Sequence, residues 1–406
     1  MYNSRFFLVF AFTLTLFSAS AQNPTEPKTE APVEKKTNWY DVLHVRGYMQ
    51  VRYNRLLETN DKLKCEQCDK SWGEDGGIFI RRMRVVLYGQ ITKKIYFYLQ
   101  PDFASAASST SLHFAQLRDA YVDIGIDNDN EFRFRIGQSK VPYAFEIMQS
   151  SQNRAPLDRS DAMNSAFANE RDLGAFFYWA PKEKRAMLSS LVKDGLKGSG
   201  DYGIFAFGVF NGQTANKPEL NDNLHVVSRL TYPFEWKGQI FEPGIQAYTG
   251  KYTIASDQKS AGVKINADAT YTDERVAASL IMYPKPFGFQ AEYNIGRGPE
   301  YNGATDSIEV QNLKGGYILI NYKLELDKVV LFPFTRYHYY DGGKKQERDA
   351  RSYNVNEFEV GMEWQPNKNL EFTAMYTISD RRFEDHTLQD NQQEGSLLRL
   401  QAQLNF

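Results

Sequence analysis

The sequence has 406 residues, of which 42% are hydrophobic, 14% aromatic and 24% charged, and its formal net charge is −2. This balance argues against a basic nucleic-acid-binding protein, and two cysteines are too few for a disulfide scaffold or a four-ligand zinc site. After the first twenty or so residues, no apolar run approaches the roughly 20 residues of a transmembrane helix, so a helical membrane protein is excluded.

The N-terminus has the pattern of a secretory signal peptide. Arg5 precedes a short apolar segment that ends in Ala19-Ser20-Ala21. The segment is too short for a membrane anchor, so we predict export and removal of residues 1–21. Residues 22–41 are rich in Pro, Thr, Glu and Lys, which cannot bury a core, and we predict a flexible periplasmic segment there.

From residue 42 to the C-terminus, apolar and polar residues alternate with a period of two. Because side chains on a strand point alternately to opposite faces, each segment has one apolar and one polar face. The pattern predicts sixteen strands. We place them at 43–55, 78–90, 94–103, 114–124, 131–137, 172–180, 202–210, 224–232, 243–252, 274–283, 286–295, 314–324, 329–340, 355–365, 369–379 and 396–406.

Two all-β architectures fit this pattern. A soluble sandwich or propeller buries its apolar faces, whereas a transmembrane barrel turns them outward and keeps a polar lumen. Strands of about ten residues, aromatic residues near strand ends and a C-terminal Phe406 favour the barrel. We therefore predict an all-β fold, a transmembrane antiparallel β-barrel over residues 42–406, of a size that leaves an aqueous channel.

The connections alternate between short turns and long polar loops. We assign the turns to the periplasmic side and the loops to the outer side. One connection fits poorly, because 181–201 is long for a turn, and it predicts either a strand extension or a short periplasmic helix. The long loops are predicted at 56–77, 138–171, 253–273, 296–313, 341–354 and 380–395.

Several motifs in a fixed order resemble one family, the phosphate-selective porins O and P of Gram-negative outer membranes. They are Phe79-Ile80-Arg81-Arg82-Met83-Arg84 with Gly89, Arg118-Asp119-Ala120-Tyr121-Val122-Asp123, Gly137-Gln138-Ser139-Lys140-Val141-Pro142 with Glu146, Glu170-Arg171-Asp172-Leu173-Gly174, Phe210-Asn211-Gly212, and Ser228-Arg229-Leu230 before Pro233. The resemblance implies a homotrimer in the outer membrane, a third outer loop (138–171) folded into the channel, and basic lumen residues that attract phosphate or other anions. Phe406 resembles the C-terminal signal that the barrel-assembly machinery recognises. The resemblance also implies that the barrel contacts outer-membrane lipid.

The polar faces supply candidate anion sites. Arginine stays protonated and forms forked hydrogen bonds to phosphate oxygens, and several modest sites let an anion enter and leave. The candidates are Arg46, Arg52, Arg82, Arg84, Arg133, Arg135, Arg229 and Arg399 on strands, and Lys140, Arg154 and Arg159 in the loop.

Acidic residues on late strands leave a second interpretation open. If they pair with the arginines, the protein is a general, weakly selective porin. A third interpretation is a structural or adhesive barrel whose lumen is plugged by 138–171. The acidic residues are Glu292, Glu357, Glu359, Glu363 and Glu371.

Other chemistry is sparse in the sequence. The five histidines have no metal-ligand spacing, and Asp385-His386 is the nearest approach to a catalytic pair. We therefore predict neither an enzyme nor a cofactor. Cys65 and Cys68 lie in the first outer loop, where an exported chain favours a local disulfide.

Overall fold

The computed structural model describes residues 38–57, 77–104 and 114–406. All sixteen predicted strands are present, several of them longer than predicted. The strands are β1 His44–Leu56, β2 Gly77–Gln90, β3 Ile95–Asp102, β4 Gln116–Gly125, β5 Phe132–Lys140, β6 Arg171–Trp179, β7 Phe205–Phe210, β8 His225–Thr231 (continued by Phe234–Trp236), β9 Gln239–Thr253, β10 Thr270–Met282, β11 Phe287–Asn302, β12 Ser307–Tyr322 (continued by Leu324–Leu326), β13 Val329–Gly343, β14 Ser352–Asn367, β15 Leu370–Glu384 and β16 Asn391–Asn405.

Every strand pairs antiparallel with its sequence neighbours, and β1 also pairs with β16, so the sheet closes into a barrel. At this seam Gln50 lies opposite Gln403. The backbone N–H of Gly47 donates to the carbonyl of Phe406 at 2.7 Å, and the N–H of Phe406 donates back at 3.0 Å. A Cβ on Gly47 would lie 2.6 Å from the Phe406 ring, so the terminal aromatic packs where only glycine fits.

The two faces of the sheet are inverted relative to a soluble protein. The apolar face points outward: Val45 is 60% exposed and Ile136 is 53% exposed. The polar face points inward, where Gln50 and Arg52 are almost completely buried. This inversion is the arrangement of a transmembrane barrel.

Three of the predicted outer loops are shorter in the structure than the alternation predicts. The prediction of a loop at 296–313 is wrong, because β11 and β12 continue through most of this range and only residues 303–306 connect them. The loops predicted at 341–354 and 380–395 are likewise shorter in the structure, where they span 344–351 and 385–390. Where both faces of a sheet contact water, polar residues occur on both faces and the alternation of apolar and polar residues is lost, although the backbone pairing continues. Glu300, for example, pairs with Glu309.

Short helices lie in two connections. Between β5 and β6 are α1 (Phe145–Met148) and α2 (Asp161–Asn164), and between β6 and β7 is α3 (Lys182–Lys193). The helix alternative for 181–201 is therefore the one observed. Helix α2 is only one turn long, and Phe167 beyond it is extended. In the part of the chain that the structure describes, no helix is both long and apolar enough to cross a membrane.

The loop predicted at 56–77 lies mostly outside the described residues. Cys65 and Cys68 fall in this gap, so their predicted disulfide stays a prediction, as do the signal peptide 1–21 and the segment 22–41.

Candidate functional site in the barrel lumen

The segment 141–170, which connects β5 to β6, contacts inward-facing side chains on the far side of the barrel. The backbone N–H groups of Phe145 and Glu146 donate to the carboxylate of Glu292 on β11 at 2.6 and 2.8 Å. The Glu146 carboxylate pairs at 2.8 Å with Arg336 on β13. These buried contacts tie the segment to strands that are distant from it in sequence.

Asp158 of the same segment is a meeting point for predicted lumen arginines. Its carboxylate lies 2.7 Å from Arg52 and 2.9 Å from Arg399. Arg82 approaches it at 3.7 Å. One loop carboxylate thus compensates charges from β1, β2 and β16.

Most of the other predicted arginines also have a carboxylate partner. A buried pair of this kind stabilises a wall more than it attracts a passing ion. The pairs are Arg84–Asp102 at 2.8 Å, Arg133–Asp201 at 2.9 Å, Arg135–Asp123 at 2.7 Å, Arg229–Glu242 at 2.8 Å and Arg159–Glu170.

Three predicted basic residues form no ion pair within the described ranges. Arg46 is exposed and has only its 3.5 Å contact with the Tyr98 hydroxyl and the Tyr88 ring beside it. Lys140 donates to the carbonyl of Met148 at 2.6 Å. Arg154 donates to a carbonyl, and two of its nitrogens have no partner in this part of the chain. Of the three, Arg46 is the exposed one, and its charge is not compensated by any described carboxylate.

The late-strand carboxylates are engaged as well. Glu359 pairs with Arg336 at 2.6 Å and Arg399 at 3.2 Å. Glu363 pairs with Lys197 at 2.5 Å. Glu357 contacts His338 and Arg381, and Glu371 accepts a hydrogen bond from Asn405.

Several lumen residues were missed by the sequence reasoning. Arg275 on β10 follows the period-two pattern and could have been found, because Asp273 and Ala277 share its inward face. Lys344 and Lys345 could not, since they reach the lumen from the connection 344–351, where they contact Asp161 and Asp273. The remaining missed residues are Arg118, Arg171, Lys197, Arg336 and Arg381.

The predicted periplasmic connection also reaches into the barrel. Leu188 and Leu191 of α3 pack in one cluster with Phe145 of the loop segment. Beyond the helix, the backbone carbonyl of Lys197 accepts a hydrogen bond from Gln149 at 2.6 Å. The connections from the two ends of the barrel therefore touch each other inside it.

Open space remains along β2–β5, in two adjoining cavities of about 250 and 360 Å³ that share Tyr96, Tyr121, Arg135 and Asp201. We call them together the side tract. It extends from Lys94, beside the β2–β3 turn, to Lys140 at the other end of β5. Its charged lining is Arg46, Lys94, Asp119, Asp123, Arg133, Arg135, Lys140, Arg171, Arg185 and Asp201.

A buried group of Asp161, His338 and Glu357 has the spacing of a metal site. Its two carboxylates already contact Lys344 and Arg381. Because those cations balance the carboxylates, the residues do not fit a further metal ion.

Comparison with known proteins gives a family and a fold. A family model described as phosphate-selective porin O and P matches residues 65–406. Among solved structures, the chain is similar to the outer membrane channel DcaP of Acinetobacter baumannii, with 13% identity, a TM-score of 0.56, and coverage of 90% of this chain and 97% of that one. It is also similar to Salmonella typhi OmpF in complex with daunomycin, with 14% identity, a TM-score of 0.55 and the same coverage. No curated protein matches the chain.

Proposed function

The chain belongs to the phosphate-selective porin O and P family, and we propose that this Gram-negative outer-membrane porin favours small anions, including phosphate. As a porin channel it has no enzymatic role. Its preference for anions is the part that goes beyond the family and the fold.

The charge of the side tract supports this preference. Seven basic and three acidic side chains line it, so basic groups outnumber acidic ones by four. In a narrow space with low-dielectric walls, such an excess raises the local concentration of anions. Arg46 contributes most, because it is exposed and forms no ion pair with the described residues.

The segment 141–170 supplies the constriction in this proposal. Its contacts with Glu292 and Arg336 hold it across the far side of the lumen. Ions then pass on the opposite side, where the tract borders Ser150, Gln152 and Asn153.

The many buried ion pairs favour a second candidate, a general porin of weak selectivity. In that case the basic residues of the lumen are compensated by carboxylates, and the channel does not discriminate anions from cations. A third candidate, a barrel plugged by 141–170, predicts no conductance at all.

We also propose a homotrimer, as the family resemblance implies, and assembly through the C-terminal Phe406. Phe406 completes the β1–β16 seam through its two hydrogen bonds to Gly47. Deletion of Phe406 should lower the yield of inserted barrel, measured by heat-modifiable migration of outer-membrane fractions. An unchanged yield would contradict a role in assembly.

Planar-bilayer recordings of the full-length protein test the preference for anions. In a potassium chloride gradient, the reversal potential should show anion preference, and added phosphate should reduce the chloride current. Arg46→Gln should reduce both effects. Arg297→Gln is the matched control, because Arg297 lies on the outer face, paired with Glu274 at 2.6 Å. A reversal potential near zero would establish the general porin, and absence of current steps would establish the plug.

A further inference from the structure

Aromatic side chains form much of the wall of the side tract. Tyr96 and Tyr98 come from β3, Tyr121 comes from β4, and Tyr202 comes from the connection after α3. The rings of Tyr98 and Tyr121 are stacked with their centroids 5.1 Å apart and their planes at 11°. The ring of Tyr178 meets Tyr202 edge-on at 6.2 Å.

Arg135 holds these rings together instead of presenting a free charge. Its guanidinium lies 3.8 Å from the centre of the Tyr121 ring and 5.4 Å from that of Tyr202. Two of its nitrogens donate to both carboxylate oxygens of Asp123, at 2.7 and 2.8 Å. With its charge compensated, Arg135 fixes an aromatic surface by cation–π contact.

The polar ends of the rings face the tract. Tyr96, Tyr121 and Tyr202 are all partly exposed. Their hydroxyl groups make no hydrogen bond within the described residues, and none of the three is enclosed by protein. They remain open to hydrogen bonds with a solute, beside the uncompensated cation of Arg46.

A bare phosphate ion has no apolar surface and gains nothing from ring faces. A solute with a ring and an anionic group uses both features, because the ring packs against Tyr98 and Tyr202 while the anion lies at Arg46. We infer that the side tract selects ring-bearing anions, meaning cyclic compounds that carry a carboxylate or phosphate group. This inference rests on the proposed anion preference and specifies its substrate class.

The test compares ring-bearing and ringless anions in bilayer recordings. The probe pairs are benzoate against acetate and glucose 6-phosphate against inorganic phosphate. In each pair the ring-bearing probe should block the chloride current at a concentration about two- to tenfold lower, the range expected for one or two aromatic contacts. A preference for the ring-bearing probe in only the first pair would identify flat aromatic acids as the selected class. A preference in only the second pair would identify sugar phosphates.

Substitutions then separate the ring from the hydroxyl. Tyr98→Leu and, independently, Tyr202→Leu should remove the ring preference, whereas Tyr98→Phe should keep it. Tyr293→Leu is the control, because Tyr293 lies on the outer face and is 50% exposed. Each variant must retain normal open conductance to be compared.

Equal block by both members of each pair would overturn the inference, and so would a leucine variant that keeps the wild-type preference. If the reversal potential still shows anion preference in that case, the proposed function holds and only the preference for ring-bearing anions is wrong. If the wild-type channel shows no anion preference, the proposed function itself fails.

Discussion

Two sides of the lumen contain similar residue types but differ in what covers them. Near β9–β15, the segment 141–170 and the connection 344–351 lie over the wall, and Glu146, Asp161 and Asp273 compensate arginines and lysines there. Along β2–β5, the same kinds of residues line the side tract. Arg133 and Arg135 have carboxylate partners there as well, whereas Arg46 has none among the described residues. An arginine attracts an ion only where no carboxylate compensates it, so the number of lumen arginines does not define the pathway.

The largest effect should come from breaking the ion pair between Glu146 and Arg336 on the covered side. Glu146→Gln leaves Arg336 with one carboxylate instead of two and weakens the contacts to Ser160. Breaking a buried pair costs about 3–5 kcal/mol. The temperature at which the folded band is lost in heat-modifiability gels should therefore fall, and the open conductance should rise as the segment loosens.

The exposed pair on the outer face provides the matched control for Glu146. Glu274→Gln breaks the pair with Arg297, where about 0–1 kcal/mol is expected. Equal shifts in both variants would show that the covered side is not the more tightly held of the two.

A second substitution uncovers arginine charge on β1 and β16, outside the covered side. Asp158→Asn keeps the shape of the side chain but uncovers the charges of Arg52 and Arg399. Since one charge at 4 Å is worth about 1 kcal/mol in water, the anion-to-cation permeability ratio should rise by up to about fivefold. A fall in this ratio, measured from reversal potentials, would contradict the idea that the loop carboxylate masks those arginines.

Arg82 and Arg84 lie on β2 but do not line the side tract. Arg82→Gln with Arg84→Gln should lower the permeability ratio by only about twofold, because Asp158 and Asp102 already compensate part of their charge. Phosphate should also block the chloride current less. If both quantities stay unchanged at normal conductance, these arginines stabilise the wall and the general porin is the better description.

The smallest effect should be a pH dependence in the outer loops, away from both sides. The Nδ1 atom of His386 lies 2.7 Å from the Asp306 carboxylate. This hydrogen bond raises the pKa of His386 and lowers the pKa of Asp306. The contact is therefore complete between the two pKa values, and it is lost as pH rises through the raised pKa of His386 or falls through the lowered pKa of Asp306.

Limited proteolysis of intact cells can detect this change. Cleavage within 385–390 should be faster at about pH 8.5 than at about pH 5.5. His386→Gln should remove the difference between the two pH values. A difference that persists in this variant would assign the pH dependence to another group.

The sequence by itself determined the strand number, the inverted faces and the closing strand. Alternation is a local property, because each residue's face follows from its place in the strand, and so Arg52 could be placed in the lumen from the sequence alone. The motifs along the first half were likewise sufficient for the family.

Only the tertiary structure decided which charges remain available. Arg52 finds Asp158 106 positions away, and Arg399 finds the same carboxylate 241 positions away. No local pattern encodes such a meeting, since it depends on where the segment 141–170 places Asp158. The same holds for α3, whose leucines pack against Phe145 inside the barrel, and for Arg46, which forms no ion pair with any described residue because no loop carboxylate reaches it. Pairing of charges is a three-dimensional property, whereas the alternation that builds the wall is one-dimensional.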